Sequence, residues 1–357
     1  MKAIRRVGGF DIGGANVKAV RLDRLAGEAD TWRATSVPLA VWRHPDRLED
    51  VLAEAGQRLG LDGADALALT MTAELADAFR TKREGVTCVC RAVAKVFPEM
   101  SVRALSLSGR DWPPLEQAFE TPLDFAANNW LASALYVAAR HDDALFVDIG
   151  STTTDIIPIR GGRVAARGLT DTERLTHGEL VYTGILRTNP NTLAATVPIG
   201  GRHCRTAAEH FAAMADVHLL LGHITADDYT SHTADGRGTT PAEAAERLAR
   251  LVCADVETLA PPAIREMAAY LFERQLAVIA EGLLQVLSAQ DTPIRPPLLP
   301  AGSGAFLVRE LGRRLGMAVL DPLTPPDPAA LAVLPALAAA SLLADRLEKD
   351  LSCSKPC

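Results

Sequence analysis

Nearly the same phrase occurs twice in this chain, and the repeat limits what the chain can fold into. Residues 10–18 read FDIGGANVK and residues 146–155 read FVDIGSTTTD. Each is an apolar run ending in Asp, followed by Ile-Gly and then by small hydroxyl- or amide-bearing residues. Asp11 and Asp148 stand 137 positions apart, as expected if two related half-molecules each supply one loop. An Asp-Ile-Gly turn between two strands suits phosphate. Glycine lets backbone N–H groups approach an anion and tolerates positive φ. Hydroxyls and amides add donors, and an Asp can hold a metal ion through water. Two such loops facing each other would grip a polyphosphate from both sides.

The flanking patterns place these loops on strands. Residues 4–22 alternate as a hairpin turning at Gly13 and Gly14, and residues 66–71 read as a short buried strand. The second half restarts with strands over 144–148 and 155–159, and the Gly161-Gly162 turn leads to a third over 163–167. Helices are expected over 45–59, 84–97, 206–221, 241–260 and 263–289, and over 128–140 with Asn128 as its cap. Residues 298–304 read as a strand ending in the turn Gly302-Ser303-Gly304, followed by a helix over 305–315. Alone, that unit is explained by an ordinary helix start. After two Asp-Ile-Gly loops it becomes a third anion- or nucleotide-type element.

The net charge of −7 excludes a general attraction for nucleic acid or an anionic membrane, so any anion site must be local. The Ala-rich run 329–344 is shorter than the roughly 20 apolar residues of a span and contains Pro335, so a buried helix is expected. Six cysteines without a CxxC pair fit a reducing compartment. The start runs directly into the first motif, which favours a cytoplasmic protein without a signal peptide.

The order hairpin loop, hairpin loop, strand–GSG–helix resembles the actin/Hsp70/sugar-kinase superfamily. That resemblance implies an α/β fold with two duplicated RNase H-like domains around a cleft and a helical insertion in the second. The implied divisions are 1–125, 126–327 (insertion about 170–290) and a C-terminal helix in 328–357 packing back on the first. Further segments are similar to the hydantoinase A and oxoprolinase group: MTAELADAF (71–79), AANNWLA (126–132), RGLTDTERLTHGELVYTGILRT (167–188), ADVHLLLG (215–222), TADGR (233–237) and RLARLVCAD (247–255). They look like proteins of tetrahydromethanopterin-linked C1 metabolism, a group that includes an archaeal methylofuran-forming synthase. The implied activity is a diphosphate-releasing alkyl or aryl transfer. It joins an aminomethyl-furanmethyl diphosphate to the phenol of tyramine or a glutamyl-tyramine. The implied partners are those small molecules, with a homodimer allowed and neither nucleic acid nor membrane involved.

Under this reading Asp11 and Asp148 would hold Mg²⁺ through waters. Gly13, Gly14, Asn16, Gly150, Ser151, Thr152 and Thr153 would donate to phosphate oxygens. Strand alternation puts Lys18 on the face of Asn16, where it adds positive charge. The acceptor phenol has an ordinary pKa near 10, so a base helps, and Asp155 or Glu74 is the candidate. Asp155 equally well closes a turn. Thr72, Glu74 and Asp77 follow a buried strand, at the edge where ligands bind in α/β sheets, although a helix cap explains Thr72 and Glu74 too. Asn129, His177, Glu179, Thr183 and Arg187 are candidate substrate-binding residues, with a surface salt bridge the duller reading of Arg187. Glu209, Asp216 and His223, spaced by seven, would share one helix face, which is more often solvated than metal-binding.

An ATP-dependent kinase or hydantoinase-type hydrolase is the alternative, because the GSG turn serves nucleotides in that superfamily. ATP is therefore allowed, but diphosphate is favoured. A non-enzymatic ATP-binding assembly protein lacks support, since no peptide-binding domain or filament insert is recognisable.

Overall fold

A computed structural model describes residues 4–25, 27–109, 111–290 and 295–353. Strands β1 (Ile4–Ile12), β2 (Asn16–Leu25) and β3 (Thr31–Pro38) form an antiparallel meander. Helix α1 (Leu48–Leu59) crosses to β4 (Ala66–Met71), parallel to β1, and α2 (Lys82–Val96) crosses to β5 (Val102–Ala104), parallel to β4. The sheet order is β3-β2-β1-β4-β5. After the short α3 (Gln117–Glu120), α4 (Asn129–Ala138) leads to a second sheet.

That sheet begins with an antiparallel meander of β6 (Ala144–Ile149), β7 (Thr154–Arg160) and β8 (Arg163–Val164). Helix α5 (Asp171–His177) and β9 (Leu180–Val181), which pairs with β7, come next. The segment between β9 and β12 holds a hairpin of β10 (Thr196–Ile199) and β11 (Arg202–Arg205). It continues with helices α6 (Met214–Leu221), α7 (Pro241–Arg250) and α8 (Pro261–Ser288). Strand β12 (Leu298–Ala301) returns parallel to β6, followed by α9 (Ala305–Leu315), α10 (Pro328–Ala332) and α11 (Leu334–Cys353). The order β12-β6-β7-β8 repeats β4-β1-β2-β3, and a parallel bridge from Leu298 to Val319 stands where β5 stands in the first sheet.

The two sheets are joined by one core. Val7, Val20, Ala66 and Ala68 of the first sheet share it with Phe146, Ile157, Ile159 and Leu299 of the second. Helices α4 and α11 lie between them. The Ala-richness of 329–344 follows from that position, because α11 runs against β1, where a Cβ on Gly9 would strike the Ala336 carbonyl. Only small side chains permit that approach. Pro335 sits in the first turn of α11, where a missing N–H costs nothing. Among the described residues no helix is long and apolar enough to cross a membrane.

Most elements lie where periodicity predicts them, and four differ. The helix expected over 206–221 begins only at Met214. There the Asp216 carboxylate accepts from the Ala213 amide and fixes the first turn. Residues 206 and 207 instead donate to the Ala195 and Leu251 carbonyls. The expected 241–260 helix stops at Arg250, and Cys253 turns with φ of 56°. The third strand of the second sheet is only Arg163–Val164. Asn128 occupies the cap position of α4 without capping it. Its Oδ1 accepts from the Met71 amide at 2.9 Å and its Nδ2 donates to the Leu105 carbonyl.

Candidate active site

The two repeated loops fold as the same turn. The Gly13 amide donates to the Asn16 carbonyl at 3.0 Å, and the Gly150 amide to the Thr153 carbonyl at 2.9 Å. Among the described residues no hydrogen bond takes the amides of Gly14, Ala15, Ser151 or Thr152. All four positions are partly exposed, so each loop presents unpaired donors, the arrangement that receives an anion. Turn Gly302–Gly304 abuts the second loop. The Gly304 amide donates to the Ile149 carbonyl at 2.8 Å. Gly302 turns with φ of 73°, and a Cβ there would strike both the Asp148 carboxylate and the Ile149 carbonyl.

Each motif aspartate ends its strand opposite a particular partner. Asp11 faces Lys18 across the first hairpin, and Asp148 faces Asp155 across the second. The hairpins are alike in backbone and opposite in charge at that position. Burial raises the Asp11 carboxyl to about 6, against the pull of Lys18 and a hydrogen bond from the Asn129 side chain. Burial also raises Asp148 to about 7, helped by Asp155 and Asp11 and opposed by Lys18. Asp148 therefore senses Asp11 and Lys18 from the other hairpin, which places the two motifs within electrostatic reach. The Lys18 ammonium also donates to the Ala332 carbonyl at 2.9 Å, tying the first hairpin to the end of α10.

Cations and carboxylates continue along the contact between the halves. Arg174, buried on α5, bonds Asp155 at 2.8 Å and lies 4.0 Å over the Trp130 ring. Burial raises Asp155, and Arg174 opposes the rise. Lys82 at the start of α2 reaches Asp171 at the start of α5, at 2.7 Å. Glu74 is 1% exposed, and neither carboxyl oxygen closes a hydrogen bond. Burial lifts it to about 7, while Lys82 and nearby amides pull it down and Asp171 pushes it up. The two candidate bases thus differ: Asp155 is engaged by a guanidinium, whereas Glu74 is unpaired and poised near neutrality.

The other sequence candidates divide into two groups. Thr72 lies beside the first loop, its hydroxyl 3.7 Å from where a Gly13 Cβ would stand, and it does not cap the short turn after it. Arg187 donates its amide to the Ser151 carbonyl at 2.9 Å, against the second loop. Asn129 supports Asp11. Two of the remainder are engaged elsewhere. Glu179 is buried with both oxygens taken by the Arg167 and Gly168 amides, at 2.6 and 2.9 Å. The buried Thr183 hydroxyl meets Thr188 and accepts from Gln275. Asp77 is exposed, and His177 ends α5 beside Glu173.

Glu209, Asp216 and His223 do not share a helix face, because Glu209 precedes α6 and His223 follows it. Asp216 is fully buried against Arg247 at 2.8 Å, and His223 stands 3.2 Å from His218 between the ring nitrogens. Glu209 and His223 are exposed and Asp216 is not, so the three form neither one solvated face nor, among the described residues, a metal cage.

Five residues at the site were not singled out from the sequence: Trp42, Lys82, Asp171, Arg174 and Gly184. A signal existed for α5, whose Thr170–Glu173 capping box is legible as T-x-x-E. Gly184 lies in the 167–188 segment, and a Cβ there would meet Thr152 N at 2.5 Å and Gly150 O at 2.6 Å. Nothing in the sequence marked Trp42.

The donor set suits Mg²⁺ held through water. Asp11 Oδ1 is buried without a hydrogen-bond partner, and a second carboxylate stands nearby. No group of three or more His, Cys, Asp or Glu among the described residues is placed to cage a metal directly. Mg²⁺ characteristically keeps waters, takes one or two carboxylates and completes its shell with substrate phosphates.

Comparison with known proteins agrees with this architecture. A synthase from Methanocaldococcus jannaschii is 38% identical over 276 residues, 77% of this chain and 80% of that protein. Its name is (4-{4-[2-(gamma-L-glutamylamino)ethyl]phenoxymethyl}furan-2-yl)methanamine synthase. A protein of the same name from Methanococcus vannielii is 33% identical over 144 residues, 40% of this chain and 64% of that protein. A nucleotide-free acetone carboxylase structure has a similar α/β fold. Its TM-score is 0.55 over 95% of this chain and 70% of that one, at 11% identity. The sequence model described as Hydantoinase/oxoprolinase matches residues 65–346. The chain belongs to the hydantoinase/oxoprolinase family.

Proposed function

We propose that this chain is an ether-forming synthase of methylofuran-type cofactor biosynthesis. It joins an aminomethyl-furanmethyl diphosphate to the phenol of tyramine or a glutamyl-tyramine. The furfuryl carbon–oxygen bond to diphosphate breaks, the phenol oxygen bonds to that carbon, and diphosphate and one proton leave. The name of the M. jannaschii relative, 38% identical over most of both chains, describes a phenoxymethyl-furan product with this connection. The observation that carries the reading is the pair of hairpin turns with unpaired amides, ending on aspartates of which Asp11 raises Asp148.

The furan stabilises positive charge at its exocyclic carbon, so catalysis consists mainly of stabilising the departing diphosphate and positioning the phenol. The loop amides and the Ser151–Thr153 hydroxyls receive the phosphate oxygens. Asp11 and Asp148 would hold Mg²⁺, which would supply charge neutralisation to the leaving group. Lys18 keeps the neighbouring carboxylates from repelling the anion. Glu74, unpaired and near neutrality, takes the phenol proton.

Both aspartates must be ionised for this role. In the metal-free site Asp11 lies near 6 and Asp148 near 7, so turnover at limiting Mg²⁺ is expected to rise through pH 6–7 and level above about 8. A pH–rate profile already flat at pH 5 would contradict it.

The ATP-dependent reading draws on the GSG turn, which abuts Asp148. Calorimetry separates the two. Diphosphate–Mg²⁺ is expected to bind tightly and ATP–Mg²⁺ weakly. Tight ATP binding with slow hydrolysis would overturn the synthase assignment.

A further inference from the structure

One contact crosses the mouth between the two loops and belongs to neither motif. The Arg187 guanidinium lies 4.5 Å over the centre of the Trp42 ring. Each partner is fastened to a different loop. Trp42 follows Val41, whose amide donates to the Gly14 carbonyl at 2.9 Å, and Leu39 likewise donates to Ala15 at 3.0 Å. Arg187 and Leu186 both donate their amides to the Ser151 carbonyl. Both side chains are half-buried.

Arg187 differs from two nearby cations, Arg174 and Lys82. Arg174 has Asp155 and Lys82 has Asp171. Among the described residues no carboxylate pairs with Arg187, and burial lowers its pKa. An indole face is a weak partner for a guanidinium compared with a bidentate phosphate. A phosphate held by the Ser151–Thr153 turn would lie next to the segment that anchors Arg187.

Resting on the proposed function, we infer that Arg187 and Trp42 form an exchange pair at the substrate site. Bound diphosphate draws the Arg187 guanidinium off the Trp42 ring, and the bared indole face then seats the aromatic ring of the acceptor. The pair thereby makes binding ordered, with the diphosphate first and the phenol second. Because binding free energies are reciprocal, each ligand must strengthen the other.

The test uses inorganic diphosphate with Mg²⁺ and tyramine as probes on the full chain, by calorimetry and intrinsic fluorescence. In the wild type, diphosphate is expected to tighten tyramine binding roughly five- to tenfold and to change the tryptophan emission. Arg187→Gln should weaken diphosphate roughly tenfold or more and abolish that coupling. Trp42→Ala should move the two ligands in opposite directions. Diphosphate binds roughly two- to fivefold more tightly, because no stacked contact must first be broken, while tyramine binding is lost. Trp42→Phe should retain coupling but lose the emission change, so wild type and Trp42→Phe suffice if the other variants fail to fold. If wild type binds diphosphate but the coupling is absent, or Trp42→Ala weakens both ligands alike, the exchange pair is overturned and the synthase reading stands. If wild type does not bind diphosphate, both fall.

Discussion

Asp148→Asn is expected to abolish turnover, by at least about 10²-fold, while leaving the protein folded and more stable near neutrality. The substitution keeps the shape of the side chain and removes its charge. Turnover falls because the second loop loses the carboxylate that would hold Mg²⁺ at the leaving group. Stability moves the other way because that carboxylate is destabilising in the free protein. It is confined beside Asp155 and Asp11, and its pKa is raised to about 7 from an unfolded value near 4. Between those values the folded protein retains a proton that the unfolded chain has released. The contribution of Asp148 to stability is therefore full below about pH 4 and is lost as pH rises through 7. Asn does not titrate. The melting temperature of the variant relative to wild type should thus climb from pH 4 to pH 7. Comparing the two proteins cancels the opposite trend from His218, which burial lowers to about 3 and which is common to both. A variant with full activity, or one whose relative stability falls across that range, would remove the two-loop account.

Gly184→Ala carries the second large effect. The residue is not left-handed, so the need for glycine there is one of space. An added Cβ would lie 2.5 Å from Thr152 N, 2.6 Å from Gly150 O and 2.6 Å from the Ser151 carbonyl carbon. All three belong to the backbone of the second loop, which cannot swing aside like a side chain. Ile185, Leu186 and Arg187 hold the same loop by hydrogen bonds to the Gly150 and Ser151 carbonyls, so it cannot drift away freely either. Overpacking of this kind costs about 1–3 kcal/mol, within what a chain of this size tolerates. The catalytic cost is larger, because a displacement near 1 Å of a positioning group lowers rates by about 10²-fold. Steady-state kinetics should show the loss mainly in kcat, with diphosphate affinity reduced. Unchanged kinetics in a folded variant would mean that the loop is not held by this segment.

The contrast between Gly184 and the repeated motifs shows what the sequence made legible. Both Asp-Ile-Gly hairpins could be read directly, since strand alternation and a glycine turn are local properties. Their convergence was an inference from repetition, and the pull of Lys18 and the push of Asp11 on Asp148 accord with it. Thr183 and Glu179 looked like ligand residues because polar side chains in a shared motif carry no label for direction. The fold turns them inward, onto Gln275 and onto the Arg167 and Gly168 amides. Arg174 and Lys82 were missed for the converse reason. Their partners Asp155 and Asp171 lie 19 and 89 residues away, and only the meeting of α5 with β7 and α2 pairs them. Trp42 was invisible for the same reason, sitting in a loop between β3 and α1 with no periodic pattern around it. The helix expected over 206–221 was lengthened by a polar–apolar rhythm that Asp216 interrupts when it reaches back to the Ala213 amide.

The measurement that bears most directly on the central claim is a product assay. The purified protein would be incubated with Mg²⁺, the aminomethyl-furanmethyl diphosphate and either tyramine or γ-glutamyltyramine, with ATP absent. Mass spectrometry would follow the aryl ether while released diphosphate is counted. The account predicts one ether formed per diphosphate released, with no nucleotide required. Ether formation that depends on ATP, or release of diphosphate without any ether, would contradict it.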